Sequence, residues 1–116
     1  MSKNVLGKNL TICGEDPMTG YERTGFCKLN DRDQGTHTVC AEMTQDFLNY
    51  TKLKGNDLIT KKGSFPGLKP GDRWCLCASR WEEARRAGVA PPVILEATQE
   101  RTLNFTTLAN LKVGVV

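Results

Sequence analysis

Apolar positions along this chain fall into short runs separated by turn residues, and two of the runs follow one order. T38-V-C-A-E-M43 reads as a strand, and Thr44 then opens T-Q-D-F-L-N-Y-T-K-L-K-G55. A hydroxyl at the start, Asp46 at the positive end of the helix dipole and Gly55 at the finish predict a helix that buries Phe47, Leu48 and Thr51. The order repeats downstream. Arg73 to Cys77 predicts a strand, S79-R-W-E82 has capping-box spacing, and a helix over Arg80 to Ala87 stops at Gly88. Cys40 and Cys75 each stand four residues before their cap, so the pattern sets them at similar heights in similar units.

Between the units, F65-P-G-L-K-P-G-D72 is turn chemistry, and Pro70-Gly71 suits the centre of a type II turn. A-P-P-V-I-L-E-A-T98 predicts an extended segment and a third strand, Val93 to Ala97. A fourth short strand over Leu103 to Thr106 precedes a last helical turn begun at Thr107 and reaching Leu111. Residues 13 to 37 hold Pro17, Gly20 and Gly25 among polar neighbours without a lasting period, which predicts a long loop region with a short strand around Tyr21 to Lys28. The expectation is an α+β fold: a single two-layer domain, a sheet of three to four strands with two main helices on one face. Residues 1–37 form its loop-rich part, and 38–116 carry the strand-cap-helix units and the C-terminal strands.

Composition changes this picture little. The chain has 116 residues, 39% hydrophobic and 25% charged, which is ordinary for a globular domain. The opening M-S-K-N-V-L-G lacks the apolar stretch of a secretory signal, and no segment approaches the roughly 18 apolar residues of a membrane span. The expectation is a cytoplasmic protein with no membrane partner. A net charge of +3, with Lys52, Lys54, Lys61, Lys62 and Lys69 scattered and no interleaved aromatics, argues against specific nucleic-acid binding. Thiols in that compartment stay reduced, and five cysteines are an odd number, so the sequence predicts free thiols at Cys13, Cys27, Cys40, Cys75 and Cys77.

The candidate chemistry centres on W74-C-L-C77. Strand side chains at i and i+2 share a face, so Cys75 and Cys77 are presented together while Trp74 and Leu76 point away. Their Cβ atoms lie about 6 to 7 Å apart in an extended strand, too far for the roughly 4 Å of a disulfide. Zinc favours thiolates and imidazoles; Cys75 and Cys77 could converge on it with further ligands from Cys40, Cys27, Cys13 or His37, and the set Cys40, Cys75, Cys77 and His37 is the expected one. Alternatively Cys75 or Cys77 is a nucleophile, with His37, the sole histidine, as base and Asp31 or Asp33 orienting it. A third reading leaves the cysteines as core filling, which is what W-C-L-C-A buried on both faces would be. Asp72, Arg73, Asn56 and Asp57 flank turns near strand ends and are candidates for ligand binding, although Asn-Asp after a helix-stop glycine is also routine turn chemistry.

Several of these motifs occur together: G35-T-H-T-V-C40, G55-N-D-L58, F65-P-G-L-K-P-G-D-R-W-C-L-C77 and A90-P-P-V-I-L-E-A-T98. As a set they resemble a small, mainly bacterial domain-of-unknown-function family of about this length. The resemblance implies a stand-alone α+β domain in the cytoplasm and supplies no activity. Members often carry histidine in the T-x-E stretch, where this chain has Gln99, and that difference counts against a two-histidine metal site. Three functions therefore stand: a binding module for zinc or a small polar ligand at a cysteine-containing site, a thiol-dependent enzyme, and an interaction domain with structural cysteines.

Overall fold

The computed structural model describes residues 2–33 and 36–115. Its order is β1 (His37–Glu42), α1 (Gln45–Leu53), β2 (Arg73–Cys77), α2 (Ala78–Arg86), two 3-10 segments (Leu95–Ala97 and Glu100–Asn104) and α3 (Leu108–Lys112). β1 and β2 form an antiparallel ladder that pairs Val39 with Leu76, Cys40 with Cys75, Ala41 with Trp74 and Glu42 with Arg73, with an irregularity between His37 and Val39. Because side chains alternate, the ladder has two unlike faces. Val39, Ala41, Trp74 and Leu76 join Phe47 and Leu48 of α1 and Trp81 and Ala84 of α2 in the main apolar core. Cys40 and Cys75 enter a second buried cluster with Cys13, Cys27, Ile94 and Ala97. The helices cover the first face, and the loop region covers the second.

The first strand-cap-helix unit is built as expected. Thr44 Oγ1 accepts the Phe47 amide at 3.2 Å, Asp46 sits in the first turn, and Gly55 follows the helix end with φ +95°. The turn into β2 also matches: Gly71 takes φ +95°, and the Asp72 amide donates to the Lys69 carbonyl at 3.1 Å. In the second unit the capping box does not form. β2 passes directly into α2 with Cys77 as the N-cap, which leaves Ser79 already inside the first turn. Glu82 turns instead to the other end of the helix, meeting Arg85 Nη2 at 2.7 Å and Arg86 Nε at 3.0 Å. Trp81 is buried on the core, as its position predicts, and its indole N–H donates to the Pro91 carbonyl at 3.1 Å.

The described residues contain two strands where three or four were expected. Val93 makes one isolated bridge to Ala41 and no ladder. Its neighbourhood still serves as an edge for β1: the Glu42 amide donates to the Pro92 carbonyl at 3.0 Å and the Ile94 amide to the Cys40 carbonyl at 2.9 Å. The next acceptor that β1 needs comes from a side chain, because Thr98 Oγ1 accepts the Cys40 amide at 3.1 Å while donating to the Ile94 carbonyl. Pro91 and Pro92 lack amide donors, and the chain beyond Ile94 closes into a 3-10 turn, so pairing ends after one bridge. The expected strand at Leu103 to Thr106 falls on the end of the second 3-10 segment and the turn after it, and Gln99 starts that segment by accepting the Arg101 amide. Thr107 caps α3 as expected. Residues 21–28 form turns and no strand, and Gly20 in that loop is tightly constrained: its φ is +100° and a Cβ there would run into the Phe26 carbonyl.

Glu82 gives the helix a pH-dependent anchor. Its carboxyl is held down at about 2 from 4.5, chiefly by the Arg85 hydrogen bonds and further by Arg86, against an opposing effect of burial. A depressed carboxylate stabilises the fold above its ordinary range, and that stability is lost as pH falls from about 4.5 towards 2. Since both arginines are partly exposed, solvent screening reduces the effect to roughly 1–2 kcal/mol. Urea unfolding at pH 7 should find Glu82→Gln weaker by about that amount, and the gap from the unsubstituted chain should close as the buffer is taken down to pH 2.

Candidate functional site

Two disulfides, Cys13–Cys40 and Cys27–Cys75, bind the loop region to the ladder, with Cα separations of 5.7 Å and 5.3 Å. All four residues are at most 2% exposed. This corrects the expectation that the cysteines are reduced thiols. Parity and the expected compartment argued against bridges, but the ladder sets Cys40 opposite Cys75 on one face, and the loop returns to that face twice, delivering Cys13 and Cys27. The signal was present in the matched heights of Cys40 and Cys75, although nothing in the spacing reveals where the loop crosses. Cys75 and Cys77 are not bonded to each other, as the strand geometry required.

The bridges also decide which cysteine keeps its thiol chemistry. With Cys40 and Cys75 each bound to a loop cysteine, the expected metal set of Cys40, Cys75, Cys77 and His37 retains one thiol, Cys77. A different set of sulfurs is closely spaced: those of Cys13, Cys27 and Cys75 all lie within 4.8 Å of one another, a cluster that could hold a metal.

His37 lies at the start of β1, where its backbone and its ring both meet Asp33. The His37 amide donates to Asp33 Oδ2 at 2.7 Å, and Nδ1 meets Oδ1 at 2.6 Å. The Asp33 side chain is 1% exposed and that of His37 is 38% exposed. In the neutral ring, a carboxylate held against Nδ1 favours the tautomer with the proton on that nitrogen and the lone pair on Nε2. Of the two aspartates considered as orienting groups, Asp33 makes the contact, and Asp31 is exposed.

Cys77 is the residue opposite His37 in the ladder register. It is half-buried and contacts Ser79 Oγ at 3.8 Å. Burial pushes its thiol above the ordinary cysteine range; Ser79 opposes that shift, Asp33 adds to it, and Arg80 opposes it. His37, Cys77, Asn56 and Arg80 border a cavity of about 80 Å³. Beside it lies a groove of about 430 Å³, with His37, Leu58, Trp74 and Cys75 common to the two. Tyr21, Phe65 and Trp74 give the groove aromatic walls, and Arg23 and Lys62 bring positive charge, with Arg23 stacked 4.9 Å from the Trp74 ring.

The four expected ligand-binding residues separate into two places. Asn56 borders the smaller cavity and donates to Thr51 Oγ1 at 3.1 Å. Asp57 borders the groove, and its carboxylate accepts the Ile59 and Thr60 amides, with hydrogen bonds from Thr60 foremost in holding its pKa down at about 2. Asp72 closes the turn before β2 by accepting the Lys69 amide at 3.0 Å. Arg73 opens β2 opposite Glu42, at the end of the strand remote from Cys77. The residues that sequence reasoning missed, Tyr21, Arg23, Lys62 and Phe65, come from loops whose crossing over β2 no periodicity encodes.

The fold and the site define a small α+β protein whose loop region is cross-linked to a two-stranded ladder and forms a groove beside a thiol and a carboxylate-bound histidine. A family model matches residues 3–114, and the chain belongs to that family, DUF2237, described as an uncharacterized protein conserved in bacteria. No curated protein matches the chain. Among the described residues no helix is long and apolar enough to cross a membrane.

The disulfides close loops of 27 and 48 residues in sequence separation. Loop-closure entropy gives ceilings of about 3.5 and about 4 kcal/mol for their contributions. Reduction with a phosphine in the presence of a chelator should therefore lower the urea midpoint steeply, and Cys27→Ser should cost no more than about 4 kcal/mol of unfolding free energy.

Proposed function

We propose that this protein is a thiol-dependent enzyme in which Cys77 is the nucleophile, His37 its base and Asp33 the group that positions His37. The observation that carries the reading is the almost fully buried Asp33 carboxylate on His37 Nδ1, with Cys77 opposite His37 in the ladder. A buried carboxylate on one ring nitrogen orients the imidazole and stabilises the cation formed when the other nitrogen takes a proton. The raised thiol pKa fits this division of labour, because a thiol held in its protonated form needs a base at the moment of attack. As the thiolate forms, the N-terminus of α2 and the Arg80 charge favour it.

In the proposed reaction the Sγ proton passes to His37 Nε2 while sulfur bonds to an electrophilic acyl carbon. The leaving group departs with that proton; water then attacks the thioester carbon, giving a proton to Nε2, and the C–S bond breaks to release the carboxylic acid as that proton returns to Sγ. The adjoining groove is where the remainder of the substrate would lie; its aromatic walls suit an apolar or ring portion, and its charges, Arg23 and Lys62 against the single carboxylate of Asp57, favour an anionic group at the Arg23 and Lys62 side. The small polar ligand of the binding-module reading is here the substrate of the same site. The reading of cysteines as structural applies to the other four, which are cross-linked in the core.

p-Nitrophenyl acetate supplies the test. Intact-mass analysis should show one acetyl group, mapped to Cys77, and Cys77→Ala should abolish it. His37→Gln should slow acylation by at least about a hundredfold and push the remaining rate to pH values above the ordinary thiol range near 8.5. Asp33→Asn should lower the rate with the apparent affinity for the ester little changed. Acylation at equal rates in wild type and His37→Gln, or none on Cys77, would sink the proposal, provided circular dichroism shows the variants folded.

A further inference from the structure

The four cross-linked cysteines form one buried group of sulfurs. Cys13, Cys27 and Cys75 lie with their Sγ atoms within 4.8 Å of one another, and Cys40 is bonded to the first of them. Ile94 and Ala97 complete the apolar cluster around them. In a tetrahedral zinc tetrathiolate, Zn–S bonds of about 2.3 Å set neighbouring sulfurs about 3.8 Å apart. The unbonded contacts among Cys13, Cys27 and Cys75 are thus within about 1 Å of that spacing, and Cys40, bonded to Cys13 and outside that group of three, has to swing toward them when its bridge opens.

The backbone at these residues is held by hydrogen bonds as well as by the sulfur bonds. The Cys40 amide donates to Thr98 Oγ1 at 3.1 Å and the Cys75 amide to Thr19 Oγ1 at 2.8 Å, both buried hydrogen bonds. The Cys13 amide donates to the Gly25 carbonyl at 2.7 Å. Together with the ladder pairing of Cys40 and Cys75, these bonds fasten the backbone at three of the four positions by contacts that do not involve sulfur.

We propose that reduction of both disulfides turns this group into a tetrathiolate site for zinc, with Cys13, Cys27, Cys40 and Cys75 as its ligands. Each disulfide takes two electrons and two protons from a dithiol, which becomes a disulfide, or two electrons from a phosphine, which becomes its oxide while water supplies the oxygen and the two protons; the two bridges together give four thiols. Binding of one Zn²⁺ then releases four protons. The same four side chains would fasten the loop to the ladder in either state: through sulfur–sulfur bonds under oxidising conditions, and through the metal in the reducing cytoplasm expected from the sequence. His37 and Cys77 take no part, so the ligand set differs from the one that strand spacing suggested.

The full chain, reduced with a phosphine without oxygen and freed of reductant, is titrated with zinc chloride and separately with cobalt chloride. The expected result is one equivalent bound, visible cobalt bands of a tetrahedral tetrathiolate, and a thermal midpoint well above that of the reduced, metal-free protein. Cys13→Ser should weaken zinc binding by at least about a hundredfold, and Cys77→Ala should leave stoichiometry and affinity unchanged. Well under one equivalent in fully reduced wild type, a cobalt spectrum with mixed or octahedral ligation, or loss of binding in Cys77→Ala would overturn the proposal. Should Cys13→Ser not fold, the wild-type cobalt spectrum decides the ligand set.

Discussion

The register of one strand pair governs this molecule. With Cys40 opposite Cys75, Val39 opposite Leu76 and Ala41 opposite Trp74, the ladder sends its apolar residues to the helices and its cysteines to the loop. A slip by one residue would exchange those faces, putting sulfur against the helices and the two large side chains of β2 against the loop. The same register brings His37 to Cys77, at the point where the pairing becomes irregular. Such irregularities re-aim side chains at strand ends, and here the change occurs where the ladder gives way to a helix on one side and to the Asp33 loop on the other.

Local elements were legible because their causes are local. Thr44, Asp46 and Gly55 fix α1 through a hydroxyl, a charge and a left-handed glycine, and all three act within a few residues. β2 was readable from Arg73 to Cys77 for the same reason. The second helix was placed correctly but its start was not, because a strand that runs into a helix without a loop makes its own last residue the cap. The run at Val93 looks like a strand in the sequence because burial against β1 gives the same apolar signature whether or not a ladder continues. There the two prolines and the Thr98 hydroxyl decide the outcome, and the hydroxyl acts across 58 positions of sequence.

The candidate site was legible by residue type more than by assembly. His37, an aspartate a few positions before it and a cysteine from W-C-L-C could be named from the chain, but choosing Cys77 over Cys75 requires knowing that Cys27 reaches one and not the other. Two residues along one strand separate a sulfur that holds the fold together from one that sits at a helix start beside a histidine. The groove walls come from loops, and loops carry no period from which their crossings could be inferred.

The order of the bridges along the chain has one more consequence. Cys13 joins Cys40 and Cys27 joins Cys75, so the two closed loops interleave instead of nesting or standing apart. Every peptide bond between residues 13 and 75 is therefore spanned by at least one covalent link. A protease that nicks the exposed loop at Glu22 or the stretch around Lys61 would leave one molecule with two new ends, its halves tethered and its ladder still in register.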